Sequence, residues 1–123
     1  ANRTRDRADR LADHFGARIT PVDWREASAA MDGARTIVNT TVLGMAGQAD
    51  LDVTLAAAPA DAVVNDIVYV PLETPLLREA RARGLIAVDG LGMLLHQAAP
   101  GFERWFGKRP VVDADLRAAV LGA

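Results

Sequence analysis

Two arginines stand one helical turn apart in Asn2-Arg3-Thr4-Arg5-Asp6-Arg7, where the chain enters its first helix. Backbone N–H groups at a helix N-terminus attract anions, and a guanidinium grips phosphate through charge-assisted hydrogen bonds of roughly 1.5–3 kcal/mol each. In dinucleotide-binding folds the tip of the second strand meets the adenosine ribose. An acid there binds a 2′-hydroxyl, whereas arginine accommodates a 2′-phosphate. Arginine occupies that position here. The same residues also read as a solvated helix face with Asp6 and Arg10 paired at i, i+4.

Gly90-Leu91-Gly92-Met93-Leu94-Leu95 follows a strand-like run and opens a helix-like one, imitating the first two glycines of a G-x-G-x-x-G phosphate loop. Leu95 stands at the third glycine position and no acid lies about 20 residues beyond at a strand end, so this is not a pyrophosphate loop. Its glycines either let backbone approach a ligand closely or make a simple tight turn. Asn39-Thr40-Thr41 and Asp66-Ile67-Val68-Tyr69 each end a strand, where polar side chains line a cofactor cleft or serve as caps and turns. Gln97 falls off the apolar stripe of its helix and is either a surface residue or a ligand contact, while His96 reads as exposed. There is no cysteine, hence no thiolate nucleophile, disulfide or zinc finger. No Ser-His-Asp set, H-E-x-x-H motif or paired carboxylates are visible, so neither a catalytic nor a metal-binding residue is assigned.

Segments of helical period alternate with short β-branched runs, which is the pattern of a parallel sheet flanked by helices. Thr4 is placed to cap a helix with the face Ala8, Leu11, Ala12 and Phe15, stopped by Gly16. Residues 18–22 then read as strand, Ala27, Ala30, Met31 and Ala34 as a second helix, and Thr36–Thr41 as strand. Gly44 and Gly47 mark residues 42–52 as loop, and residues 51–58 have room for one or two helical turns. Ala62–Tyr69 is mostly apolar on both faces, like strands of sheets covered on each side. Thr74-Pro75 starts a helix ending at Gly84, and Leu85–Val88 is a further strand. Leu91, Leu94, Leu95, Ala98, Phe102, Trp105 and Phe106 form the inward stripe of a long helix kinked at Pro100, and Asp113 caps a last helix with Leu116 and Val120 inward. The expected fold class is α/β, a doubly wound parallel sheet. In such sheets ligands lie beyond the carboxyl ends of the strands, where the residues named above fall.

At 123 residues the chain is one domain's worth, and 50% hydrophobic residues supply a real core. A net charge of −2 and a pI near 5.6 offer no global field for nucleic acid or an anionic membrane. Thirteen of the 14 cations are arginine, and four of them lie in the first ten residues. No run approaches the ~20 apolar residues of a membrane span and no signal peptide opens the chain, so the expected setting is cytoplasmic. The sequons at Asn2 and Asn39 are then chance matches.

Five strings in register resemble the C-terminal part of shikimate dehydrogenase. They are Asn2-Arg3-Thr4 with Arg7; Ile37-Val38-Asn39-Thr40-Thr41 with Leu43-Gly44-Met45; Asp66-Ile67-Val68-Tyr69-Val70-Pro71 with Glu73-Thr74-Pro75-Leu76-Leu77; Asp89 through Ala98; and Phe102-Glu103 with Trp105-Phe106-Gly107. That family reduces 3-dehydroshikimate to shikimate with NADPH, on the route to chorismate and the aromatic amino acids. The resemblance implies that Asn2, Arg3, Thr4 and Arg7 hold the 2′-phosphate of NADP. It implies also that Thr41, Val42, Ile67, Gly90 and Met93 border the cofactor, with Gly90 near the nicotinamide, and that Tyr69 and Gln97 touch the substrate.

The family pattern also has a first strand, glycine-rich loop and helix before Asn2, and before those a substrate domain with a catalytic Lys/Asp pair. None of these is among the 123 residues. Lys108 matches no catalytic position and reads as a surface turn residue. The expectation is therefore an incomplete Rossmann-like domain over residues 1–123, lacking its first strand and helix, which carries the 2′-phosphate clamp of an NADP site without the pyrophosphate cradle and has no turnover alone. Two alternatives are a quinate/shikimate dehydrogenase homologue and a non-catalytic module self-associating through the sheet edge that the missing strand leaves unpaired.

Overall fold

The structure, a computed structural model, describes residues 1–122. Helix α1 spans Arg5–Phe15, strand β1 Thr36–Asn39, β2 Val63–Asp66, helix α2 Pro75–Ala82, β3 Ile86–Val88, α3 Gly90–Phe106 and α4 Ala114–Leu121. The strands form one parallel sheet in the order β1-β2-β3. Register pairs Ile37 with Val64 and Val64 with Ala87, while Asn39 lies opposite Asp66.

The core lies on one face of this sheet. Val64 packs with Leu76, Leu77 and Ala80 of α2, with Leu85, and with Leu55, Ala58 and Ala62 of the connection between β1 and β2. Helix α2 begins as its sequence dictates: Pro75 sets the first helical φ, and the Thr74 hydroxyl accepts the Leu77 N–H. Glu79 then fastens the connection onto α2, accepting the Thr54 hydroxyl and the Leu55 N–H at 2.8 Å each. The opposite face, expected to be covered, leaves Val38, Ile86 and Val88 48%, 60% and 42% exposed.

The α/β parallel sheet is as expected, with several local departures. Residues 19–22 form no strand, for they find no neighbouring strand in this chain and Pro21 removes a ladder donor. The helix expected over residues 27–34 is a single 3₁₀ turn, Ala29–Met31, preceded by another at Trp24–Glu26 and followed by Gly33 at φ 72°. So short a segment has too little packing to support an α-helix. Residues 51–58 likewise form no helix: Glu79 ties Thr54 and Leu55 to α2, and a single turn follows, the Ala58 N–H donating to the Leu55 carbonyl. The strands at residues 36–41, 62–69 and 85–88 are shorter than expected because their ends turn into loops.

Three apolar faces are also not inward. Leu11 and Phe15 of α1 are about half exposed and Ala8 alone is buried there. In α3 Leu91 and Ala99 are buried, but Ala98, Phe102, Trp105 and Phe106 are exposed. The helix runs through Pro100 without interruption. In α4 Leu116 is half-buried and Val120 exposed. In each case the sheet is too narrow to offer a surface for the stripe to cover.

Candidate functional site

Beyond the carboxyl ends of β1 and β2 the chain folds into two loops that are tied together, the Ala46 N–H donating to the Val70 carbonyl. With α3 they enclose a cavity of about 270 Å³ lined by Thr41, Val42, Met45, Ile67, Val68, Tyr69, Val70 and Met93. Five of the predicted residues thus meet in one place: Thr41, Val42, Ile67, Met93 and Tyr69. Tyr69 is the only titratable group on these walls. Gln97 lies one turn beyond Met93 on the same side of α3 and is exposed.

The loops are held from below by a buried polar network. The Asp66 carboxylate, 1% exposed, accepts the Asn39 side-chain amide and the Val68 N–H at 3.0 Å, and the Thr74 hydroxyl at 2.7 Å. Asn39 in turn accepts the Thr41 N–H and hydroxyl, and the Thr41 hydroxyl accepts the Leu43 N–H. Asn39 also donates to the Leu43 carbonyl.

Gly90 is the first residue of α3, and a Cβ built on it would lie 2.2 Å from the Ile67 carbonyl oxygen. Its bareness therefore serves a close approach to the chain's own backbone, which brings Met93 to the cavity; no such demand exists at Gly92. Asp89 caps α3 by accepting the Leu91 N–H and forms a two-pronged ion pair with Arg117 of α4, at 2.6 and 3.1 Å. Burial pushes the Asp89 carboxyl upward, but hydrogen bonding to Arg117 and the pull of its charge, with the Leu91 and Gly92 N–H groups, hold it below the usual value of 3.8.

A second groove of about 410 Å³ adjoins the N-terminus of α1, lined by Asn2, Arg3, Arg5, Asp23, Trp24, Arg25 and Glu26. Thr4 stands at the cap position, yet its side chain makes no capping bond; the Asn2 side-chain carbonyl accepts the Thr4 N–H instead. The Asp6–Arg10 pair does not form. Arg5 bridges Asp9 and Asp23 at 2.8 and 2.9 Å, and these hydrogen bonds raise its already high pKa. Among the described residues Arg3, Arg7 and Arg25 make no ion pair, and Arg7 is exposed outside the groove lining. Arg25 and Trp24 were not anticipated from sequence; a second arginine beside an aromatic, just after the expected strand at residues 18–22, was the available signal.

A third cleft, about 290 Å³, joins the other two. It shares Trp24 with the arginine groove and Thr41 with the loop cavity, and its walls include Ala27, Met31, Ile37, Leu51 and Leu76. An arginine groove, a cleft of mixed lining along β1 and a mostly apolar cavity beyond the strand ends thus adjoin one another through Trp24 and Thr41. No helix among the described residues is long and apolar enough to cross a membrane.

Residues 90–120 match the family model of the shikimate 5'-dehydrogenase C-terminal domain. The shikimate dehydrogenase (NADP(+)) of Dinoroseobacter shibae is 62% identical over 121 residues, covering 98% of this chain and 44% of that protein. The enzyme of the same name from Rhodopseudomonas palustris is 62% identical over 120 residues, covering 98% of this chain and 42% of its own length. The chain thus spans less than half the length of these relatives. Among solved structures, shikimate 5-dehydrogenase from Thermus thermophilus in complex with NADP(H) and shikimate superposes with a TM-score of 0.73 at 37% identity, over 89% of this chain and 40% of that one. Quinate dehydrogenase from Corynebacterium glutamicum in complex with NAD gives 0.82 at 32% identity, over 98% and 44%. The expected resemblance holds over nearly the whole chain, in sequence and in fold.

Proposed function

We propose that this chain is the cofactor-binding part of an NADP-dependent shikimate dehydrogenase, which interconverts 3-dehydroshikimate and shikimate on the way to the aromatic amino acids. The carrying observation is the run of three clefts sharing Trp24 and Thr41, with Arg3 unpaired at one end and Tyr69 and Met93 at the other. The residues suit NADP: Asn2, Arg3, Thr4 and Arg7 would hold the 2′-phosphate, and Thr41, Val42, Ile67, Gly90 and Met93 would border the nicotinamide end. Arg5 is committed to Asp9 and Asp23, which leaves Arg3 and Arg7 to the ligand.

When bound, NADPH supplies the hydride. This chain's part is to orient it and to help bind the substrate through Tyr69 and Gln97. Gln97 is exposed in this chain, but an amide covered by a bound substrate and left without its hydroxyl partner costs about 1–3 kcal/mol, so Gln97 would discriminate between substrates as well as hold them. Among the described residues no carboxylate, lysine or histidine lines the cavity; on this reading the proton-transferring pair lies in another part of the enzyme, and the 123 residues alone are expected to show no turnover. The small-molecule partner and the cytoplasmic setting go with this reading. The curated relatives named above favour shikimate over quinate as substrate.

The test is Arg3→Ala in the full-length enzyme. KM for NADP should rise by an order of magnitude or more and KM for NAD hardly at all; equal effects on both cofactors would refute the 2′-phosphate assignment.

A further inference from the structure

We propose that Asp66 is a positioning residue, whose buried carboxylate sets the two loops that wall the cofactor cavity. The inference rests on the function proposed above. A carboxylate with almost no exposure is costly to bury, and among the described residues no ion pair involves Asp66. An apolar residue would serve packing better.

The three bonds it accepts show what the carboxylate does instead. One, from Thr74, joins it to the cap of α2 in the core. The other two go to the cavity walls. The Val68 N–H fixes the loop that carries Ile67 and Tyr69. Asn39 relays the second link through Thr41 to Leu43, fixing the loop that carries Thr41, Val42 and Met45. Both loops are thus referred to one buried group anchored on the helix that packs deepest in the core. None of this network except Thr41 and Val68 lines the cavity, so Asp66 acts through its neighbours.

The experiment compares the full-length enzyme with Asp66→Ala and Asp66→Asn, measuring kcat per folded site, KM for NADP and amide hydrogen exchange. Asp66→Ala removes all three bonds. We expect kcat to fall about 10–100-fold, in keeping with misplacements near 1 Å, while KM for NADP, set mainly by the arginine groove, changes less than about threefold. The Thr41, Leu43 and Val68 amides should exchange at least about tenfold faster, with Val64 and Ala80 in the core unaffected.

Asp66→Asn keeps one oxygen for Asn39 and Val68 and should recover most of both readouts. Should Asp66→Ala not fold, Thr41→Val breaks the same relay at a half-exposed position and, because Thr41 itself lines the cavity, is read by the exchange of the Leu43 and Val68 amides alone. Unchanged kcat, or exchange accelerated throughout the chain, overturns the proposal. An inactive wild type overturns the proposed function instead, and the exchange pattern, which needs no activity, still decides whether Asp66 fixes the loops.

Discussion

Substituting Gly90 and Gly92 separately by alanine turns the close approach of α3 into a measurement. At Gly90 the new Cβ meets the Ile67 carbonyl oxygen at 2.2 Å, the Ile67 carbonyl carbon at 2.5 Å and the Val68 oxygen at 2.7 Å. All three are backbone atoms, so no side chain can swing aside. Restoring ordinary contact requires a relative movement of about 1 Å between α3 and the end of β2. Overpacking of this kind costs about 1–3 kcal/mol, and alanine's better helical propensity returns at most about 1 kcal/mol. At Gly92 nothing lies within 4 Å of the added methyl, so only the propensity gain remains.

Thermal unfolding of the chain followed by circular dichroism should therefore separate the two variants. For a domain of this size about 1 kcal/mol corresponds to about 3–6 °C in Tm. Gly90→Ala should melt about 5–10 °C lower than the parent, and Gly92→Ala at or slightly above it. In the full-length enzyme Gly90→Ala should also lower kcat/KM, because Met93 moves with α3. Equal melting temperatures for the two variants would show that α3 does not need its close seat on residues 67 and 68.

Further outcomes follow from the same contacts. The Asp89 carboxyl titrates below its unfolded value, so its stabilising contribution is complete above about pH 4 and is lost as pH falls through the lower, folded value. Arg117→Met should remove that acid-range loss and cost about 1–2 kcal/mol near neutral pH, measured by urea unfolding as a function of pH. Leu77→Ala empties a fully buried position between α2 and Val64 and should cost about 2–5 kcal/mol in the same assay; a value under about 1 kcal/mol would mean that the core lies elsewhere.

What the sequence discloses is uneven, for physical reasons. Helix α2 is legible because its start and stop are local: Thr74 caps, Pro75 fits the first turn and Gly84, at φ 74°, ends it. The centres of the three strands are legible from their β-branched and apolar runs. The strand at residues 18–22 is not, because a strand exists only with a partner, and periodicity says nothing about who pairs with it. The aromatic half of α3 has a helical stripe but no sheet to lie on, so Phe102, Trp105 and Phe106 stay exposed. In the site, Thr41, Ile67, Tyr69 and Met93 are visible within strings that end strands or start a helix, while Val42 is named by the family resemblance alone. The network beneath them was not. Asp66 meets Asn39 across 27 residues of sequence, a distance that only the register of β1 and β2 closes.

The open face of the sheet carries a thermodynamic consequence. A compact monomer of 13.1 kDa exposes about 6,400 Å². This chain exposes 8340 Å², with Val38, Ile86 and Val88 and the aromatic end of α3 among its exposed apolar residues. Its unfolding accordingly uncovers about 15% less new surface than the unfolding of a closed domain of equal length. Heat capacity change and denaturant sensitivity both scale with that surface, so both should fall short by a similar fraction. The stability curve of the chain is correspondingly less curved: for a given melting temperature and enthalpy, stability keeps rising further on cooling and cold denaturation lies at a lower temperature than its length alone would suggest.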